Sequence, residues 1–142
     1  MKFTYYIPLL LVIVSNLIYH NINKNSSTTS TNTFLSLSIT YLVSALVAII
    51  AYAIKRPSIT KDLQEINWMS FALGVPIVGI EFGYILMYRY GWQISKGSLI
   101  TSVILAVALL FIGLLFYKET ISLIQVIGIL LCIFGVILIN LA

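Results

Sequence analysis

The chain has 142 residues, of which 61% are apolar and only 8% are charged. So little charge excludes a soluble domain of this size and indicates an integral membrane protein. The net charge of +4 comes from basic residues scattered among short loops. They read as a membrane-topology signal, which argues against a nucleic-acid-binding surface.

Five apolar runs follow one another along the chain, and each approaches the roughly 20 residues needed to cross a bilayer about 30 Å thick. Each run should be helical because lipid offers no partner for open backbone groups, and no period-two alternation favours a barrel. The predicted fold is therefore an all-α, polytopic transmembrane bundle forming one domain over residues 1–142. The helices are predicted at residues 3–20, 34–54, 67–90, 97–117 and 121–141.

The connections between these helices differ in character. The first run resembles a signal peptide in length, but no small-residue cleavage pattern follows it, so we expect an uncleaved helix. Residues 20–33 are rich in Ser, Thr and Asn, which predicts a flexible linker. Pro57 should end the second helix, and residues 55–67 predict a short interfacial helix. The loop at 118–120 is so short that the last two helices should be antiparallel neighbours.

The distribution of Lys and Arg predicts the orientation. Five basic residues lie on the N-terminal side and three on the other, which favours a cytoplasmic N-terminus and an external C-terminus. We therefore expect a multi-pass protein of the cell membrane, anchored at the headgroups by Trp68 and Trp92. The two sets are Lys2, Lys55, Arg56, Lys61 and Lys118, and Lys24, Arg89 and Lys96.

A single acidic residue, Glu81, stands inside the uncharged apolar stretch from Phe71 to Tyr88. It lies about 4 Å of helix rise from the middle of its span. Acids at that depth are costly and usually face a bundle interior or an aqueous cavity, so Glu81 is predicted to bind substrate or exchange a proton. Tyr84 and Tyr88 share its side of the helix and offer hydroxyls or aromatic faces for an organic cation. A structural carboxyl, hydrogen-bonded within the bundle, is the alternative.

Other polar residues within the spans are weaker candidates. The amide of Asn16 in the first helix must find partners away from lipid, so Asn16 joins the predicted substrate- or proton-binding set. The hydroxyls of Thr40, Thr101 and Ser102 either line a pore or bond the carbonyl four residues earlier in their own helix. The chain has one His and one Cys, no metal-ligand cluster and no nucleophile pattern. We therefore expect no enzyme activity, no metal and no cofactor.

Glycines predict the packing surfaces. Gly79 and Gly83 form a GxxxG pair in the third helix, and Gly128 and Gly135 lie on one side of the fifth. Small residues at these spacings allow close helix approach, within one subunit or between two. Pro76 predicts a kink next to Glu81.

The stretch from Phe71 to Ala142, and above all LLFYKETISLIQVIGILLCIFGVILIN, resembles the EamA-like domain of the drug/metabolite transporter superfamily. In it a bulky apolar helix ends at Lys118-Glu119-Thr120, and Gln125, Gly128 and Gly135 follow in register. The chain departs from the family where Tyr88 to Trp92 replace a run of small residues, and where residues 103–105 lack the usual proline.

The resemblance implies a half-size unit, because full-length relatives contain two five-helix repeats and this chain has one. A homodimer, or pairing with a similar subunit, would place the solute site near the midplane between units. The implied function is transport of a small organic solute or cation, and the role of Glu81 rests on its position alone. The alternatives are a non-transporting accessory or regulatory subunit, and a flippase subunit for a lipid-linked substrate.

Overall fold

A computed structural model describes residues 6–55 and 58–141, and within those residues every regular element is an α-helix. The predicted all-α class is therefore confirmed. In chain order the helices are α1 (Ile7–Ser26), α2 (Thr33–Ile54), α3 (Ile59–Glu65), α4 (Trp68–Ala72), α5 (Gly74–Arg89), α6 (Ile94–Phe116) and α7 (Leu123–Leu141).

Four helical segments of the described chain are long and apolar enough to cross a membrane, whereas the sequence predicts five. They are α2, the combined segment Trp68–Arg89, α6 and α7. The described part of α1 falls short because its apolar stretch ends at Tyr19 and polar residues make up its last two turns. Residues 3–5 of the predicted first span lie outside the described residues.

The predicted flexible linker is wrong over its first part, because α1 continues to Ser26. Hydroxyls at its end fold back onto carbonyls three residues earlier: Ser27 Oγ donates to Lys24 O at 2.7 Å, and Thr28 Oγ1 donates to Asn25 O at 2.7 Å. Carbonyls of a last helical turn lack backbone partners, so these hydroxyls satisfy groups that would otherwise need water. The Ser/Thr composition that indicated a linker thus stabilises a helix end.

The described residues divide into two compact units, one containing the residues up to Ile22 together with those from Tyr90 onwards, and one consisting of Asn23–Arg89. In the second unit α2 packs against α5. Arg89 at the end of α5 reaches the start of α2, where it donates to Thr31 O at 2.8 Å and to Thr33 Oγ1 at 2.5 Å. The two helices are therefore antiparallel, and the buried apolar side chains Leu37, Ile85 and Tyr88 lie in them.

The predicted third span is interrupted at Leu73, between α4 and α5. Pro76 explains the break, since it has no backbone N–H and its ring crowds the carbonyl of Ala72, four residues earlier. The kink expected at Pro76 is thus confirmed, and the span consists of a short helix followed by a long one. The short interfacial helix expected between residues 55 and 67 is α3, and its Asp62 accepts a hydrogen bond from Tyr52 Oη at 2.7 Å.

In the other unit, α6 and α7 pack against each other as the predicted antiparallel neighbours. The carbonyl of Gly113 accepts from Tyr117 N at 3.2 Å and from Glu119 N at 3.0 Å, and Lys118 between them has φ +53°. A six-residue bond across a left-handed residue is the Schellman helix ending. A Cβ at Gly113 would lie 2.5 Å from Glu119 Oε2, so glycine leaves room for this carboxylate.

The start of α7 is fixed by a capping box. Ser122 N donates to Gln125 Oε1 at 2.8 Å, and Gln125 N donates to Ser122 Oγ at 3.2 Å. Each side chain satisfies a backbone N–H that the first helical turn leaves without a partner. Lys118, Glu119 and Gln125, on which the family resemblance depends, therefore shape the turn between α6 and α7.

Candidate functional site

Glu81 lies in α5, about 12 Å of helix rise after the interruption at Leu73. Its side chain is half-buried, and within residues 6–55 and 58–141 it has no hydrogen-bond or ion-pair partner. A carboxylate in this position has lost part of its hydration without gaining a fixed partner, which is unfavourable for the charged form. Such a group is suited to bind a cation or a proton.

The residue facing Glu81 from α2 is Tyr41. Its hydroxyl is buried, lacks a hydrogen-bond partner among the described residues, and interacts electrostatically with the Glu81 carboxylate. The antiparallel packing of α2 and α5 explains this placement, because Arg89 meets Thr33 at one end of the contact. Two turns further along α2, and two turns back along α5, the same faces present Tyr41 and Glu81 to each other.

Sequence reasoning missed Tyr41. Thr33, Leu37 and Tyr41 recur every four residues and so share one side of α2, and Thr33 and Leu37 are 7% and 3% exposed. That spacing was visible in the sequence. It became informative only once the partner helix and its direction were known, since α2 is apolar on all sides.

The two tyrosines predicted beside Glu81 pack against each other. Tyr84 and Tyr88 stack with ring centroids 6.2 Å apart, and Tyr88 is only 2% exposed. The ammonium of Lys24 lies 5.8 Å from the centroid of the Tyr88 ring, so a cation of the chain itself already occupies an aromatic face there. The structure thus places Tyr88 in the core of this unit, where it links α1 to α5.

A second aromatic contact lies next to Glu81. Phe82 and Phe34 stack with centroids 5.0 Å apart and planes 14° from parallel, joining α5 to the first turn of α2. Together with the Tyr84–Tyr88 pair, this contact surrounds the segment containing Glu81 with aromatic side chains from two helices. The sequence gave no signal for it, because both phenylalanines lie in uniformly apolar segments.

Asn16 belongs to the other unit, and its amide finds its partner within α1. Asn16 Nδ2 donates to Val12 O at 3.1 Å. The hydroxyls of Thr40, Thr101 and Ser102 do the same, donating to carbonyls four residues earlier at 3.1, 2.8 and 2.8 Å. The interpretation of these hydroxyls as bonds within their own helices is therefore confirmed.

The glycines predicted as packing positions have open surroundings. A Cβ built on Gly79, Gly83, Gly128 or Gly135 would meet no atom within 4 Å. Close helix approach at these residues does not occur within the described chain, so any tight contact through them would have to involve another molecule. Gly113, whose carbonyl and missing side chain organise the α6–α7 turn, is the glycine that the chain itself needs.

The described residues contain no group of three or more His, Cys, Asp or Glu side chains placed to hold a metal ion. Comparisons with protein-family models, curated proteins and solved structures found no match to the chain. The fold and the site therefore define a helical membrane protein with a half-buried carboxylate opposite a buried tyrosine hydroxyl.

Proposed function

We propose that this protein is a half-size membrane transporter of a small organic solute or cation, in which Glu81 binds the solute and exchanges it for a proton. The observation on which this proposal rests is the half-buried carboxylate of Glu81, without an ion-pair partner among the described residues and facing the Tyr41 hydroxyl. A carboxyl that serves only structure is normally hydrogen-bonded or paired, because leaving it unsatisfied is costly.

The break at Leu73 supports the same proposal. Discontinuous membrane helices are typical of transporters, where the interruption lies close to the substrate site. Here the break precedes Glu81 by about two turns, in the same span. A change in the angle between α4 and α5 would move the Glu81 helix relative to the membrane while its contact with α2 is kept.

The proposal includes assembly and topology. We propose a homodimer, or a pair with a similar subunit, in the cell membrane, with α1 as a fifth span and the N-terminus in the cytoplasm. Support comes from the open surroundings of Gly128 and Gly135 and from the resemblance to a family built of two such repeats. Gly135→Leu should weaken the dimer, measured by light scattering in detergent, whereas the same change at Ala108 on exposed α6 should not.

Solid-supported-membrane electrophysiology on proteoliposomes tests the transport function. Small cations, amines and amino acids are screened for an evoked current, with wild type, Glu81→Gln and Tyr41→Phe compared side by side. We expect a solute-evoked current that Glu81→Gln abolishes and Tyr41→Phe reduces. Glu65→Gln, which neutralises an exposed acid on α3, is the matched control and should leave the current unchanged.

The outcomes separate the candidate functions. A current unaffected by Glu81→Gln would place the site elsewhere and leave Glu81 a structural role. No current from folded, dimeric protein would favour a non-transporting accessory subunit. Movement of a lipid-linked cargo instead of a soluble one would favour a flippase subunit.

A further inference from the structure

The unit formed by α6 and α7 contains a second polar feature, remote in the sequence from Glu81. A hollow of about 300 Å³ lies between the start of α6 and the end of α7. Its lining combines aromatic rings, amides and one cation. The lining residues are Tyr90, Gly91, Trp92, Gln93, Lys96 and Asn140.

Three side chains of the hollow have hydrogen-bond donors to offer. Lys96 has no ion-pair partner among the described residues, and the Gln93 side chain forms no capping bond to α6. Asn140 Nδ2 donates to Val136 O at 3.2 Å, which leaves its second N–H available. The donors come from two helices that are more than 40 positions apart in the sequence, so the fold brings them together.

No acidic group balances Lys96 within this unit. In its described part the one carboxylate is that of Glu119, which packs against Gly113, about 25 Å of helix rise from Lys96. Lys96 also stands in the first turn of α6, where the helix dipole disfavours a cation and where no acidic side chain occurs. The electrostatic environment of the hollow thus favours a bound anion.

The position of the hollow identifies the source of the anion. The candidate spans α6 and α7 begin and end there, at Ile94 and Leu141, so the hollow lies at the boundary of the hydrocarbon core. Trp92 and Tyr90 supply the aromatic side chains that are enriched at headgroup depth. We propose that the hollow binds the phosphate of an anionic lipid headgroup, paired with Lys96 and hydrogen-bonded by the amides of Gln93 and Asn140.

Tryptophan fluorescence gives a local test, because the chain has two tryptophans, Trp68 and Trp92. In Trp68→Phe the emission comes from Trp92 in the hollow. The full chain is placed in phosphatidylcholine nanodiscs with a small fraction of either brominated phosphatidylglycerol or brominated phosphatidylcholine. We expect stronger quenching by the brominated phosphatidylglycerol at equal fraction, and no such preference in the reciprocal Trp92→Phe protein.

Charge variants test the residues. Lys96→Gln should raise the half-saturating fraction of phosphatidylglycerol about fivefold, the effect of one basic group near an anionic surface. Lys96→Arg should preserve the preference, and so should Lys61→Gln, which removes a cation from exposed α3. The double change Gln93→Ala with Asn140→Ala should weaken it while retaining Lys96. Helicity and monodispersity in detergent establish that each variant is folded.

Three results would overturn the proposal. Equal quenching by the two brominated lipids would mean that the hollow does not select an anion. An equal loss in Lys96→Gln and Lys61→Gln would reduce the preference to general surface charge. Abolition of the preference by added inorganic phosphate would assign the hollow to a soluble phosphate compound instead of a lipid.

Discussion

Replacing Lys118 tests the ending of α6 directly. Lys118 has φ +53°, the left-handed conformation, and it follows the C-cap residue Tyr117 of α6. For a residue with a Cβ this conformation costs about 1–2 kcal/mol, whereas glycine adopts it without steric penalty. Lys118→Gly should therefore relieve strain that Lys118→Ala retains.

The comparison of these two variants isolates the backbone effect. Both remove the same charge, which near a helix C-terminus contributes about 0.3–1 kcal/mol, so that term cancels between them. Glycine also loses about 0.5–1 kcal/mol more backbone entropy on folding, which offsets part of the relieved strain. The Gly variant should thus be more stable than the Ala variant by about 0.5–1 kcal/mol.

The free energy of unfolding can be measured by denaturant titration in detergent micelles, followed by helicity. Ala108→Gly, in the exposed middle of α6, is the control and should lower stability by about 1 kcal/mol. The same residue type thus has opposite effects on the two sides of one helix end. If Lys118→Gly were less stable than Lys118→Ala, the left-handed Schellman ending would be refuted.

Two further predictions concern caps and links between helices. Ser122→Ala should lower stability by about 1 kcal/mol and speed amide exchange in the first turn of α7, because both bonds of the capping box with Gln125 are lost. Unchanged exchange in that turn would contradict the box. Arg89→Ala should cost about 1 kcal/mol and loosen the segment from Thr31 to Thr33, seen as faster exchange there. Arg89→Lys should fail to restore protection, because an ammonium lacks the planar fork that reaches both oxygens.

The fold was largely predictable because each main signal is strong and local. Long apolar runs determine the spanning helices, and Pro76 determines where the third span is interrupted. The error at α1 has an equally local cause. Runs of Ser, Thr and Asn favour both linkers and helix endings, and hydroxyl bonds to carbonyls three residues back, such as Ser27 to Lys24, decided for the helix.

The candidate site was predictable only on one helix. Glu81 is recognisable because a charge in an apolar segment is conspicuous in any sequence. Its opposite residue, Tyr41, is one of nine tyrosines in the chain, and nothing in the sequence distinguishes it from the others. Its position depends on the rotation of α2 against α5, which is set by contacts such as Arg89 to Thr33 that span more than 50 residues.

The exposure of the apolar side chains also bears on how the protein functions. Leu37, Ile85 and Tyr88 are the described apolar side chains that are fully buried, while large residues of α7 such as Ile124 and Leu131 are 81% and 65% exposed. Lipid can cover such surfaces without a second protein, so exposure alone does not require a partner. The open glycines differ from the exposed leucines, because a flat helix face gains contact energy only against another helix. Assembly through Gly128 and Gly135 should therefore depend on surface shape more than on hydrophobicity, and Gly135→Leu, which makes the face more apolar, should weaken it.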